Sequence, residues 1–257
     1  MGDIIISRPS ITNNEQLKKS YLCIMRYSNK KHIFFDLDHT LWDFDKNATE
    51  TLHELFLTYK FVDLGISSAD RFIETYGRNN QRVWALYHNG KIDKEELRKA
   101  RFADTFRELG LSPTLFPASF EADYLRICPT KTNLFPGTHE TLSYLKQKYV
   151  LHLISNGFKD AAEIKVEKTD LRKYFSQIII SEDVGVHKPH PDIYHYSLRA
   201  AQAEKTESII IGDSIEADIR GAQAFGLDAI YFNPNGREEP LDIKHSIKEL
   251  IELKNLF

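Results

Sequence analysis

Little in this chain marks it for export, for a membrane or for a nucleic-acid surface. Its 257 residues include two cysteines, Cys23 and Cys128, in no CxxC pattern. A disulfide framework is therefore not expected, and both thiols read as reduced and non-catalytic. No apolar run approaches the roughly 20 residues that a membrane helix needs. Ile4-Ile5-Ile6 is too short for a signal core and follows no basic residue. Position 6 is Ile rather than Ser or Thr, so Met1-Gly2 is no myristoylation signal. An excess of positive charge is missing too: the net charge is −3 and the pI is near 6.4, which argues against a nucleic-acid polymer as partner. The chain reads as cytoplasmic, with no membrane partner. It contains no internal repeat and no low-complexity tract. What is present is ordinary globular composition, 42% hydrophobic and 28% charged, long enough for one large domain or a core with a smaller companion.

Residues 1–30 read as a peripheral extension, with a loop over 7–14 and a short helix over 15–25. Met25 reads as an alternative start, and the arm before it is expected to be dispensable. Between 46 and 127 the pattern is helical. Leu52, Leu55, Phe56 and Tyr59 share one face of a helix over 47–59. Ser68-Ala69-Asp70 caps a second, carrying Phe72, Ile73, Tyr76, Val83 and Trp84. Asp93 caps a third through Leu97, Phe102, Phe106 and Leu109, and a fourth spans 117–127. Four consecutive helices with short connections predict a small bundle. After Leu134, helices over 138–148, 160–169, 191–203 and 218–225 alternate with apolar runs at 150–154, 178–180, 209–211 and 229–232. Such alternation predicts an α/β fold, a parallel sheet with helices on both faces. A last charged helix is expected over 241–253. The implied organisation is a core formed by 31–45 and 128–257, with 46–127 inserted.

The apolar runs end in residues with chemical potential. Ile33-Phe34-Phe35 leads into Asp36-Leu37-Asp38-His39-Thr40-Leu41. Carboxylates two residues apart on a strand leave the same face. Further along, 150–154 ends in Ser155-Asn156-Gly157, and 178–180 leads through Gly185-Val186-His187 to Lys188-Pro189. The run 209–211 ends in Gly212-Asp213-Ser214, with Asp218 five residues beyond Asp213. Parallel strands share a direction, so these ends lie along one edge of the sheet, where ligands of open α/β sheets bind. Any one alone reads as a turn; four together do not.

Three carboxylates facing a phosphate would repel it, at a cost of roughly 4 kcal/mol per pair at about 4 Å and an effective dielectric near 20. Such a site needs concentrated positive charge. A hard dication held by oxygen ligands fits, and Mg²⁺ is the usual choice beside phosphate. Lys188 adds a fixed cation, while Ser155 and nearby backbone N–H groups supply donors for phosphate oxygens. An aspartate can be the nucleophile that forms an aspartyl-phosphate, and a neighbouring carboxyl can protonate the leaving alcohol and then deprotonate water. Asp36 is assigned as nucleophile and Asp38 as acid/base.

These four motifs, Asp36-Leu37-Asp38-His39-Thr40, Ser155-Asn156, Lys188-Pro189 and Gly212-Asp213-Ser214 with Asp218, resemble those of the haloacid-dehalogenase superfamily phosphatases, over about residues 30–235. The resemblance implies a Rossmann-like core. It implies Mg²⁺ held by Asp36, the backbone carbonyl of Asp38 and Asp213, phosphate bound by Ser155, Asn156 and Lys188, and Thr40 and Asp218 as accessory residues. It also implies that the inserted helices form a cap that closes over the site and selects the substrate. Within the superfamily, Asp36 to Asp45, Trp84, Gly90, Arg101-Phe102 and Leu134-Phe135-Pro136-Gly137 are most similar to the branch of pyrimidine and noncanonical 5′-nucleotidases. The expected partner is then a small phosphate ester.

Plainer readings stand beside these. Ser-Asn-Gly is also an ordinary turn, and Asp218 is also a helix cap. His187, His190 and His195 have zinc-like spacing, but two prolines interrupt them and no cysteine joins, so zinc is not expected. Trp84 and Tyr87 suit helix-bundle core better than a base-stacking platform. Arg78, Asn79 and Asn80 suit a substrate contact or a solvated face equally. Among functions, a haloacid dehalogenase would leave Asp38 and Asp213 without a task. A phosphomutase or phosphonatase shares the core residues, and phosphonate cleavage would draw a Schiff-base lysine from Lys91, Lys94 or Lys99. A binding protein on a retained fold would have no use for an intact catalytic set.

Overall fold

The four residues of β1 (His32–Phe35) show why the sheet is covered on both faces. Ile33 and Phe35 enter one hydrophobic cluster with Leu151, Leu153, Ile209 and Ile211, while Phe34 enters the other with Ile154, Ile210 and Tyr194. Side chains alternate across a strand, so near-continuous apolar runs require an apolar layer on each side. The computed structural model describes residues 27–257. In it β1, β2 (Val150–Ser155), β3 (Phe175–Ile180), β4 (Ser208–Gly212), β5 (Asp228–Phe232) and β6 (Ser246–Ile247) form one parallel, Rossmann-like sheet in the order 3-2-1-4-5-6. Phe35 pairs with Leu153 on one side and Ile211 on the other. The residues that follow β1, β2 and β4 therefore emerge together, at the point where the strand order reverses.

The segment after β1 folds as α1 (Phe44–Thr58), α2 (Ala69–His88), α3 (Lys94–Glu108) and α4 (Phe120–Ile127). The first three starts follow from side-chain caps: Asp43 accepts from the Lys46 N–H, Ser68 from that of Arg71, and Asp93 forms a reciprocal box with Glu96. Only α4, which begins later than expected, lacks a side-chain cap bond. Phe56, Phe61, Phe72, Phe102, Phe106 and Phe120 pack edge-to-face and stacked among these helices, in a cluster continuous with one face of the sheet.

Beyond them, α5 (Thr138–Leu145) and α6 (Lys159–Lys168) cover that same sheet face through Leu142, Leu145, Ala162 and Val166. A single turn, α7 (Ser181–Val184), follows β3. The opposite face is covered by α8 (Pro191–Ala201) and α9 (Gly221–Phe225), through Ile193, Tyr194 and Ala222.

The C-terminal segment departs from expectation. There is no helix over 241–253: Leu241 is fully exposed, and the chain continues as β6 and a 3₁₀ segment, Leu250–Asn255. The open edge of β5 takes the backbone instead, with the Tyr231 N–H donating to His245 O and the Asn233 N–H to Ile247 O. The helix expected over 218–225 starts earlier, as a π-helical stretch Ile215–Arg220. The expected helix over 15–25, Cys23 and Met25 lie outside the described residues. Tyr27 and Lys30 are buried; Tyr27 stacks on Phe257, and the Lys30 ammonium donates to Thr206 O at 2.7 Å and pairs with Asp228. Cys128 is a buried free thiol. Among the described residues, no helix is long and apolar enough to cross a membrane.

Candidate active site

Asp36 is held at the end of β1 by its N–H, which donates to Ile211 O of β4 at 2.9 Å. Its carboxylate is almost wholly buried and accepts from the Lys188 ammonium through Oδ1 at 2.6 Å. Lys188 spends its other two protons on Asp218 Oδ1 at 2.6 Å and Ile154 O at 2.9 Å, so all three donors are used. The Asn156 side chain fixes this lysine by its backbone: Oδ1 accepts the Lys188 N–H and Nδ2 donates to Lys188 O, both at 2.8 Å. Asn156, expected on phosphate, thus has a second task of holding Lys188 in place.

The other two strand ends close the constellation. Asp218 reaches back from the π-helical stretch, and its Oδ2 accepts from the Ser214 N–H at 3.0 Å. It is not the helix cap; Ser214 is, accepting from the Ala217 N–H. A Cβ at Gly212 would collide with the Asp218 carboxylate, so this close approach needs glycine. Thr40 Oγ1 lies 3.4 Å from Asp213 Oδ1. The Ser155 hydroxyl is buried and accepts from the Gly157 N–H.

Carboxylate oxygens of Asp36, Asp213 and Asp218 lie within 4.8 Å of one another. Burial pushes the Asp36 carboxyl up to about 7, with Lys188 pulling it down and Asp218 and Asp38 pushing it further up. Burial, then Asp36 and Asp218, drive the Asp213 carboxyl well above its usual range. For Lys188, burial lowers the ammonium's affinity for its proton, but Asp218 and Asp36 more than reverse that and raise it. Three carboxylates against one ammonium leave a surplus of negative charge among hard oxygen donors. That surplus fits a divalent cation.

The side chain of Asp38 is outside this trio. Its Oδ1 accepts from Lys165 of α6 at 2.6 Å. Nothing singled out Lys165 in the sequence, although its position between Ala162 and Val166 on the buried face of a helix is a signal that periodicity carries. His39, Arg237 and Glu238 were also missed; all three line the cavity at the site. His39 has a left-handed backbone (φ 63°) that lets its N–H close onto Trp42 O.

That cavity, about 800 Å³, has Asp36, Asp38, Ser155, Asn156, Lys188, Asp213 and Asp218 on the sheet side. Phe44, Leu52, Ile73, Tyr76, Asn80, Gln81, Trp84 and His88 of the helical segment form its other walls. Trp84 lines it while also packing on Phe158. Tyr87 does not; it packs against Phe158 and His187. Arg78 is turned to Glu74 and Glu108, and Asn79 also bonds Glu108. The three histidines do not converge. His187 pairs with the Ser181 hydroxyl, His190 caps α8 and His195 packs edge-on against Phe225. Lys91, Lys94 and Lys99 are not among the lining residues.

The family model for haloacid dehalogenase-like hydrolases matches residues 30–226. The chain belongs to that family. Pyrimidine 5′-nucleotidase YjjG of Escherichia coli (strain K12) is 32% identical over 227 residues, 87% of this chain and 96% of that one. A glyceraldehyde 3-phosphate phosphatase of Pyrococcus furiosus is 30% identical over 84% of this chain and 85% of its own. A crystal structure of the HAD-hydrolase YfnB from Bacillus subtilis, bound to magnesium, superposes with a TM-score of 0.77 at 28% identity, covering 88% of this chain and 98% of that one. This hydrolase is a phosphatase of the family, a phosphomonoester hydrolase.

Proposed function

We propose that the enzyme hydrolyses nucleoside 5′-monophosphates, pyrimidine or noncanonical, through an aspartyl-phosphate on Asp36. One observation carries the substrate class. The cavity that holds the carboxylates is large, and the residues lining it from the helical segment combine aromatic side chains (Tyr76, Trp84, with Phe44 beside His39) with side-chain amides (Asn80, Gln81). A nucleobase needs that combination, a flat apolar surface and polar groups at its edge. A triose leaving group would fill little of it. YjjG, a pyrimidine 5′-nucleotidase, agrees with this choice.

In the first half-reaction Asp36 attacks phosphorus through Oδ2, since Oδ1 is engaged by Lys188. The ester P–O bond breaks, and the proton on Asp38 passes to the departing ribose oxygen. In the second, Asp38 takes a proton from water, which attacks the phosphorus of the aspartyl-phosphate and returns Asp36 as carboxylate. Ser155 and Lys188 line the cavity, where the Ser155 hydroxyl can donate to a phosphoryl oxygen and the Lys188 ammonium, its three protons held by Asp36, Asp218 and Ile154 O, contributes positive charge. Mg²⁺ would be held by Asp36, Asp213 and the Asp38 carbonyl, and would supply charge neutralisation for phosphate in a surplus of carboxylates. The helical segment 46–127 acts as the cap over the leaving group.

The test is phosphate release with Mg²⁺ or EDTA across UMP, dTMP, flavin mononucleotide, sugar phosphates and glyceraldehyde 3-phosphate. Highest kcat/KM on a nucleoside monophosphate, lost in EDTA, is expected. Preference for the triose phosphate would overturn the substrate class, and no release from any ester would overturn the reaction.

A further inference from the structure

Lys165 is a buried cation that stands behind the site and does not line it. Its Nζ donates to Asp38 Oδ1 at 2.6 Å and sits 4.2 Å from the centroid of the Trp42 ring and 5.8 Å from that of Phe44. Trp42 is fully buried, and its indole N–H is anchored on Lys131 O at 3.0 Å. The ammonium is thus gripped by an aromatic face on one side and a carboxylate on the other. The second oxygen of Asp38 points elsewhere. A Cβ placed on Gly157 would lie 3.3 Å from Asp38 Oδ2 and 3.2 Å from Ser155 Oγ. Oδ2 therefore faces the turn that lines the cavity, while Oδ1 faces Lys165.

We infer that Lys165 is a positioning residue for Asp38: pinned on Trp42, it holds the rear oxygen so that Oδ2 is presented to the bridging oxygen of the ester. This rests on the reading of the chain as a phosphomonoester hydrolase with Asp38 as acid/base. When the P–O bond breaks, the proton on Oδ2 moves to the ester oxygen. The product pair is a neutral alcohol and a carboxylate on Asp38, and that negative charge forms 2.6 Å from a fixed ammonium. A buried ion pair is a weak source of stability, often matched by apolar residues of similar volume. A lysine on the apolar face of α6 therefore calls for a role beyond packing. Trp42 acquires a task in the same way, as the platform that keeps the ammonium from following solvent.

The test separates positioning of an acid from general support of the fold. kcat/KM, which ends at release of the alcohol, is measured for two esters. One is p-nitrophenyl phosphate, whose leaving group needs no proton. The other is an alkyl ester, UMP, or glycerol 2-phosphate should UMP not be cleaved. General acid catalysis contributes about 10²–10⁴-fold, so Lys165→Met is expected to lower kcat/KM about 10²-fold on the alkyl ester and less than about fivefold on the nitrophenyl ester. Thermal unfolding of the same samples reports folding, and Lys165→Gln, shorter by one bond and uncharged so that Oδ1 loses its fixed ammonium, reads the same ratio should the methionine variant not fold. Equal losses on both esters overturn the inference and leave Lys165 a structural ion pair. A wild-type enzyme that releases phosphate from no ester overturns the inference together with the reaction it rests on.

Discussion

Asn156 and Lys188 hold each other by a reciprocal pair of hydrogen bonds, side-chain amide to backbone, both 2.8 Å long. The geometry makes Asn156 a splint for the lysine that neutralises Asp36 and Asp218. In Asn156→Ala a buried N–H and a buried C=O lose their partners together, each at about 1–3 kcal/mol. The expected outcome is a lower melting temperature together with a fall in kcat, since Lys188 loses its fixed position. Thermal unfolding and phosphate release on one preparation check it; a fall in affinity for phosphate alone, at unchanged stability, would contradict it.

Asp36→Asn separates chemistry from folding. The substitution keeps the shape and an oxygen for Lys188 but removes the nucleophile, so turnover should drop about 10³-fold or more, as for other nucleophile deletions. Stability in metal-free buffer should not fall, because one of three crowded, buried carboxylates is gone. Retained activity in that variant would reject Asp36 as nucleophile.

The same crowding predicts a response to metal. Magnesium that binds only the folded state stabilises it by mass action, about 2.7 kcal/mol at a hundredfold excess over Kd. EDTA-treated protein should therefore gain melting temperature and activity on adding Mg²⁺. Asp213→Asn should lose both responses, while its metal-free melting temperature stays equal or rises. A magnesium shift of wild-type size in that variant would count against Asp213 as a ligand.

The candidate site's edge was legible where its residues follow short apolar runs, because parallel strands carry such residues to one side. Asp36, Ser155 and Asp213 needed only that argument, whereas Lys188 and Asp218 lie several residues past the ends of β3 and β4 and were reached through the family resemblance of their motifs. Lys165 was not legible as a partner of Asp38. Helical periodicity puts it on the buried face with Ala162 and Val166, but its partners, Asp38 and the Trp42 ring, come from another element that local sequence does not bring to it. The last strand was hidden for a similar reason. Its charged, amphipathic sequence suits a helix locally, and only the unpaired edge of β5, a non-local feature, draws Ser246-Ile247 into the sheet. The cavity wall was half visible: Trp84 and Asn80 line it, yet Tyr87 and Arg78, equally eligible by spacing, turn to partners outside it.

Trp84 then offers a test of substrate selection. It lines the cavity far from the carboxylates in sequence and packs on Phe158, 5.0 Å between ring centroids. If it stacks on the base, Trp84→Ala should raise KM for UMP by about tenfold, the effect of losing roughly 1–3 kcal/mol of base–aromatic stacking. kcat should change little, and kcat/KM for p-nitrophenyl phosphate should fall far less. Steady-state kinetics on the two esters decide it; equal losses would mean that Trp84 serves only the packing with Phe158.

His152 sets an acid limit on the fold. It is fully buried in β2, stacks on Phe34 and shares a 3.0 Å contact between its Nε2 and His32 Nδ1, while its own Nδ1 has no hydrogen-bond partner. Burial, then the neighbouring His32, lower its pKa from the usual 6.5 to about 4. Between those values the unfolded chain binds the proton and the folded one does not. Stability therefore falls as pH drops below about 6.5 and stops falling from this source below about 4. The shift corresponds to a loss on the order of 2 kcal/mol at pH 5 relative to pH 8. His152→Leu removes the titrating group while filling a similar space. The variant should lie within about 1 kcal/mol of wild type at pH 8, where it trades the His32 contact for one fewer unpaired polar atom. At pH 5 it should be the more stable of the two. Urea unfolding of both proteins at the two pH values reads the difference directly, and parallel stability curves would show that this imidazole is not what limits the fold in acid.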